Sequence, residues 1–294
     1  MMRFPKELVI RDVTLRDGLQ NESKFVATDD KLSWIERLVE SGFKRLEVTS
    51  FVHPKWVPTM RDADELAARL PFREGVSYEA LVPNRRGLDR LLSTGLHGAI
   101  FVISASTHHN QANLNRTTDE SLDEIKGLVE DTIRHGKKAI GGIATAFVCP
   151  YSGIVPYSEV EKIAQRLVES GVNEIGLGDT IGKATPKMVY EYCSRLMERF
   201  PDVPISLHLH DTYGYGLANI LAAVQAGIQV FDVAQAGLGG CPFAPGSPGN
   251  LQASRVVEFL EYQEIKTGLQ LDQLKKFDSE FPTLLLNSEL VVKG

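Results

Sequence analysis

The chain has 294 residues, 43% of them hydrophobic and 24% charged, a balance that suits a soluble globular protein of the size an α/β barrel uses for one domain. No apolar run approaches the roughly 20 residues that span a bilayer, which argues against a membrane protein. A net charge of −6 with an isoelectric point near 5.7 argues against a nucleic-acid partner, which calls for clustered Lys and Arg, and leaves small anionic substrates open.

Taken in chain order, short apolar or β-branched runs alternate with amphipathic helical stretches. Strands are predicted over 8–14, 45–51, 77–82, 98–105, 139–148, 174–178, 205–210 and 230–237. The first begins so early that no signal or transit peptide is expected ahead of it. Helices are predicted over 29–41, 119–135, 157–170, 185–200 and 216–226, and Gly42, Gly136, Gly171 and Gly227 fall where helix C-termini favour glycine. Eight βα units predict an α/β fold, a closed parallel (β/α)8 TIM barrel. An open doubly wound sheet would usually carry a Gly-x-Gly-x-x-Gly turn after its first strand, and none is present there. From 251 onward an eighth helix is followed by further helix over 271–281. With no linker, low-complexity segment or strong internal repeat to divide it, the chain is expected to form one domain, 1–294, with a C-terminal helical extension from about 265.

In such barrels the active site lies at the C-terminal ends of the strands. The first strand ends in Asp12-Val-Thr-Leu-Arg16-Asp17-Gly18-Leu-Gln20, the second carries Glu47 and Thr49, and the sixth ends in Gly178-Asp179-Thr180. The seventh reads Pro204-Ile-Ser-Leu-His-Leu-His-Asp211, in which His208 and His210, two apart on a strand, share a face. Asp17, His208, His210 and the amide oxygen of Asn250 form a mixed oxygen and nitrogen set that suits Mg²⁺ or Mn²⁺, whereas zinc more often recruits Cys or a third His. A divalent ion there, bound to a substrate hydroxyl and carbonyl, meets the demands of carbon–carbon cleavage beside a carbonyl. Arg16 is placed to stabilise the resulting enolate oxygen, with Glu47 orienting Arg16 or a metal-bound water. Residues 237–249 are dense in Gly and Pro, a composition suited to a mobile loop that closes over a reaction, and Cys241 on it is a candidate proton donor to the enolate. Together with Cys149 and Cys193 it shows neither Cys-x-x-Cys spacing nor the density of a disulfide scaffold, which points to a reducing, cytoplasmic setting.

Five motifs carry a family resemblance: Arg11-Asp-Val-Thr-Leu-Arg-Asp-Gly-Leu-Gln-Asn21, Glu47-Val-Thr-Ser-Phe-Val-His-Pro-Lys-Trp-Val-Pro58, Gly178-Asp-Thr-Ile-Gly182, His208-Leu-His-Asp-Thr-Tyr-Gly214 and Gly237-Leu-Gly-Gly-Cys-Pro242. In this order, between residue 8 and about 250, they resemble the 3-hydroxy-3-methylglutaryl-CoA lyases of the DRE-TIM metallolyase superfamily. The resemblance implies that Asp17, His208, His210 and Asn250 bind a divalent metal, that Arg16 and Cys241 are catalytic, and that Glu47 and Asp179 support the catalytic site. Gln20 and Thr180, within the same motifs, are the candidate substrate-binding residues. It further implies cleavage of a 3-hydroxyacyl-CoA to acetyl-CoA and a keto acid, acetoacetate in the parent reaction. With the apolar segment 284–292, it also implies a homodimer or larger homo-oligomer.

The chain departs from the family pattern in three places. Leu251-Gln-Ala-Ser-Arg255 exchanges two acids for a base near the site, Ser104-Ala-Ser-Thr107 lacks a Glu after its second Ser, and Asn287-Ser-Glu-Leu-Val-Val-Lys293 replaces a more basic C-terminus. A shifted acyl group therefore stays open. The alternatives are a citramalyl-CoA lyase releasing pyruvate, a related aldolase or synthase, and, from a different class, a non-catalytic metal-binding barrel.

Overall fold

Eight short parallel strands close on themselves in the order the sequence supplies them: β1 (Val9–Asp12), β2 (Arg45–Ser50), β3 (Ser77–Leu81), β4 (Gly98–Ser104), β5 (Lys138–Ala144), β6 (Glu174–Asp179), β7 (Ile205–Leu209) and β8 (Val230–Val233). The computed structural model describes residues 4–239 and 249–290, with Glu289 and Leu290 described by backbone alone. Closure is made by β8 on β1, where Val9 stands opposite Val230 and Asp12 opposite Val233. The helices are α1 (Thr28–Glu40), α2 (Ala63–Arg69), α3 (Arg85–Leu92), α4 (Thr107–Leu114), α5 (Thr118–Arg134), α6 (Tyr157–Glu169), α7 (Pro186–Arg199), α8 (Gly216–Gln225), α9 (Ala253–Tyr262) and α10 (Leu271–Ser288). This is the (β/α)8 barrel expected from the alternation, with a further helix at the C-terminal end.

Local sequence explains where the elements start and stop. In α6 the apolar residues Tyr157, Val160, Ile163, Ala164 and Leu167 recur at helical spacing, and all are buried. A reciprocal cap between Thr117 and Glu120 opens α5. The four glycines expected to end helices all adopt left-handed backbone, with φ of +100° at Gly42, +72° at Gly136, +91° at Gly171 and +100° at Gly227.

Three predicted strands end early, each for a local reason. The first stops at Asp12 because residues 14–18 wind into a single π-helical turn. The fifth stops at Ala144 because Thr145 turns left-handed at φ +51°, and Val148–Cys149 then pairs with Gly153–Ile154 in a separate small hairpin. The eighth stops at Val233 because residues 235–237 form a tight turn in which Ala236 has φ +52°. The last predicted helix, by contrast, runs on through Pro282 to Ser288. Phe281 of α10 packs edge-on against Trp34 of α1, with ring centroids 4.8 Å apart, and the Arg37 guanidinium lies 3.9 Å over the Phe277 ring. The backbone then adds Glu289–Leu290 antiparallel to Phe25–Val26. Among the described residues no helix is long and apolar enough to cross a membrane.

Gly42 and Gly136 share a left-handed conformation but differ in their surroundings. A Cβ on Gly42 would stand 2.5 Å from the carbonyl oxygen of Gly268, whereas one on Gly136 would meet nothing within 4 Å. Gly136→Ala should cost only the left-handed penalty of roughly 1–2 kcal/mol. Gly42→Ala should cost clearly more, as read by denaturant unfolding, and equal losses would show that the connection between α9 and α10 at Gly268 yields freely.

Candidate active site

The mouth of the barrel is organised by the turn that follows β1. The N–H groups of Arg16, Asp17 and Gly18 all point at the carbonyl of Val13, at 3.2, 2.9 and 3.2 Å, so the turn is tight. Such π turns are uncommon and frequent at functional sites. Arg16 donates through Nε and Nη2 to both oxygens of Glu47, at 2.6 and 2.9 Å, and through Nη1 to Asp17 at 2.6 Å. Glu47 is buried on β2, so the two-pronged contact fixes the guanidinium plane across the mouth.

β7 and the residue that follows it present His208 and His210 to the same place. Nε2 of His208 and Nε2 of His210 lie 3.2 Å apart, and each is close to Oδ2 of Asp17, at 3.6 and 3.7 Å. At that distance the two ring nitrogens share either a proton, donated by one imidazole to the other, or a cation, and a carboxylate oxygen facing both favours positive charge between them. Asn250, opposite His210 in an isolated bridge, donates through Nδ2 to Asp17 Oδ2 at 2.8 Å and to the Leu238 carbonyl at 2.9 Å. Its Oδ1 is buried without a hydrogen-bond partner among the described residues. Three converging ligand atoms beside an orphaned carbonyl oxygen fit a hard divalent cation. The four residues expected to hold a metal are therefore brought together.

Electrostatics follow the geometry. Burial works against the charge of Asp17, but Arg16 and the imidazoles prevail and hold its carboxyl well below the usual carboxylate range. Burial likewise opposes the charged form of His208, yet Asp17 and Asp232 outweigh it and push the imidazole up to about 10.

The remaining expected residues divide. Asp179 is fully buried and its carboxylate accepts the N–H groups of Lys183 and Ala184, at 3.0 and 3.1 Å, which shapes the turn into α7; burial pushes it up to about 6. The Thr180 hydroxyl accepts the N–H of Thr145 at 2.8 Å, so it holds the left-handed turn after β5. Gln20 lines a cavity of about 280 Å³ with Asn21, Lys24, Trp56 and Arg61, and its carbonyl accepts from the Thr59 hydroxyl at 2.9 Å. Cys241 lies outside the described residues; Cys149 and Cys193 are buried.

Sequence reasoning passed over three acids that support the site. Asp232 on β8 faces His208 Nδ1 at 3.1 Å. Asp278 of α10 accepts the Ala236 N–H at 2.6 Å, and the Ser254 N–H and Gln252 Nε2 at 3.1 Å each, so it ties together the segments on either side of residues 237–249. Asp12 accepts both the N–H and the hydroxyl of Thr14, at 3.0 and 2.8 Å, and that hydroxyl accepts the Gln235 N–H at 2.8 Å. The signal available in sequence was a lone acid in an apolar run for Asp232, within Val230-Phe-Asp-Val-Ala234, whereas Asp278 sits in the charged stretch Lys275-Lys-Phe-Asp-Ser-Glu-Phe281 and carries no such signal.

The HMGL-like family model matches residues 7–280. The chain is 45% identical to the hydroxymethylglutaryl-CoA lyase YngG of Bacillus subtilis, over 93% of this chain and 91% of that one. It is 39% identical to the (R)-citramalyl-CoA lyase of Chloroflexus aurantiacus, over 91% and 87%. The crystal structure of a B. subtilis HMG-CoA lyase superimposes with a TM-score of 0.94 at 42% identity, covering 99% of this chain and 98% of the other. An A. baumannii HMG-CoA lyase, solved with coenzyme A and 3-methylmalate, does so at 0.91 and 36% identity, covering 99% and 95%.

Asp12 yields a pH prediction. Burial raises its carboxyl from an ordinary 3.8 to about 7, partly offset by Thr14 and Gln235. Between those values the folded state holds a proton that the unfolded chain has released, so this contribution to stability is full below 3.8 and is lost as pH rises through about 7. Asp12→Asn removes that loss. Its unfolding free energy relative to wild type should climb steadily from pH 4 to pH 7, and a pH-independent difference would contradict the assignment.

Proposed function

The chain belongs to the HMGL-like family, and from that premise we propose that it is a metal-dependent carbon–carbon lyase that cleaves 3-hydroxy-3-methylglutaryl-CoA to acetyl-CoA and acetoacetate. The observation that carries the reading is the convergence of Asp17, His208 and His210 beside an Arg16 clamped by Glu47, on a chain 45% identical to a hydroxymethylglutaryl-CoA lyase. Similarity to the citramalyl-CoA lyase is lower, at 39%, which makes citramalyl-CoA the second substrate to test. The acyl-CoA class of substrate is supported by the CoA named for the relatives and by the A. baumannii complex. We read 1–294 as one domain whose segment from about 265 docks on α1 through Phe281 and Trp34. The cysteine content favours work in the cytoplasm, and the partly exposed apolar side of α10 favours a homo-oligomer.

Asp17, His208, His210 and Asn250 would hold Mg²⁺ or Mn²⁺, which when bound acidifies the substrate hydroxyl and polarises its carbonyl. Cleavage passes the hydroxyl proton to a base at the mouth, turns that carbon into the new ketone, and leaves the bonding pair on acetyl-CoA as an enolate; the proton taken by the base balances the one that Cys241 delivers, and its return restores the thiol. Arg16 presents N–H donors to the oxygen on which that charge develops, and Glu47 keeps the guanidinium from turning away. Cys241 returns a proton from its thiol to the enolate carbon. Gln20 and Thr180 are the residues we assign to substrate binding, and the buried Asp179 supports the site through the turn into α7.

Three outcomes test this. The purified protein should release acetyl-CoA and acetoacetate from 3-hydroxy-3-methylglutaryl-CoA with added Mg²⁺ or Mn²⁺ and fall silent on exhaustive chelation; pyruvate from citramalyl-CoA alone would shift the assignment. Arg16→Lys should lower kcat by about 10²–10³ in a folded protein, because an ammonium cannot reproduce the fork that grips Glu47. Near-normal turnover would remove Arg16 from the reaction.

A further inference from the structure

The geometry points to Asp232 as a positioning residue that fixes which nitrogen of His208 faces the mouth of the barrel. The inference rests on the reading that the mouth holds a divalent cation. Asp232 stands on β8 at 3% exposure, with Oδ2 3.1 Å from Nδ1 of His208. It cannot adjust to the imidazole, because Arg11 donates to both of its oxygens, Nε to Oδ1 and Nη2 to Oδ2, each at 2.8 Å. Arg11 is in turn held from behind by Glu79 at 3.2 Å and Glu174 at 3.5 Å.

A carboxylate locked in this way can only accept at Nδ1. The His208 ring must then carry its proton on Nδ1 and turn the Nε2 lone pair toward Asp17 and His210. Carboxylate partners of this kind orient metal-binding histidines and raise their basicity. The other histidine lacks such a partner: Nδ1 of His210 is buried with no hydrogen bond among the described residues. The two ligands are therefore held unequally, His208 by a side chain anchored across the barrel and His210 by its strand and its bridge to Asn250.

Asp232→Asn is the informative substitution. Arg11 donates at both positions, so in either orientation the new amide NH₂ meets a guanidinium nitrogen. With the NH₂ in the Oδ2 position the ring must accept at Nδ1 and carry its proton on Nε2, where the cation should bind; with the amide oxygen there, a neutral and weaker acceptor replaces the carboxylate at Nδ1. Mn²⁺ affinity, measured by titration calorimetry and by electron paramagnetic resonance, should fall by about 10- to 100-fold, while circular dichroism shows a folded barrel. Nitrogen-15 NMR of the Mg²⁺-loaded wild type should find the His208 proton on Nδ1, a measurement that needs no variant to fold. A folded Asp232→Asn protein with wild-type Mn²⁺ affinity overturns the inference and leaves the metal reading intact, as does a wild-type spectrum without the Nδ1 proton. Absence of Mn²⁺ binding by the wild type overturns both.

Discussion

A ladder of alternating charges climbs the inside of the barrel, and the candidate site is its upper end. Arg45 contacts Glu174 at 2.7 Å and Glu79 at 2.8 Å; Arg11 joins those acids to Asp232; Asp232 meets His208; His208 faces Asp17; and Asp17 and Glu47 share Arg16. Barrels of this type usually fill the same space with layers of branched apolar side chains. Burying a charge costs several kcal/mol, and removing one partner of a buried pair typically costs about 3–5 kcal/mol. Each rung is tolerable only because its neighbours carry the opposite sign. The ladder therefore also constrains strand register, since moving β1 by one residue would turn Arg11 out of the barrel and Asp12 into it, facing Glu79, Glu174 and Asp232.

Above the ladder, the mouth is shaped by backbone that the protein holds in costly conformations. Thr145 and Ala236 both sit at positive φ without being glycine, at a cost of order 1–3 kcal/mol each. Each is gripped at its own N–H by a side chain from elsewhere, Thr145 by Thr180 and Ala236 by Asp278. The hydroxyl of Thr180 thus gives one acceptor site to the backbone and keeps its O–H as a donor. Ala236 is the last turn before the glycine-rich segment, so α10, which lies outside the eightfold repeat, supplies the group that sets where that segment departs.

The barrel was legible because its signals are local. Apolar alternation and the glycines at 42, 136, 171 and 227 act within a few residues, and the structure places helix ends within one residue of where they point. The grouping of Arg16, Asp17, His208 and His210 at one mouth was legible through adjacency, Arg16 beside Asp17 and His208 two from His210, and through the resemblance those motifs carry. What stayed hidden was which side chains spend themselves on other parts of the chain. Arg11 and Asp232 are 221 residues apart, and only closure of β8 on β1 makes them neighbours. Nothing in Gly178-Asp-Thr-Ile-Gly182 says that Asp179 will turn to the backbone of residues 183 and 184.

The departure from the family pattern at Leu251 to Arg255 has a structural counterpart in α10. Asp278 reaches the backbone N–H of Ser254 and the side chain of Gln252 with the same oxygen, and these positions lie inside the segment that lacks the usual acids. A carboxylate introduced among these residues would be brought toward that of Asp278, where burial leaves little water to screen the repulsion. The neutral residues at 252–254 and the buried acid on α10 are therefore one arrangement. Leu251, buried against the barrel beside Asn250, belongs to its packing. The altered segment consequently bears on the loop base and on Asn250, while Arg16, Asp17 and the two histidines are supplied by the turn after β1 and by the C-terminal end of β7.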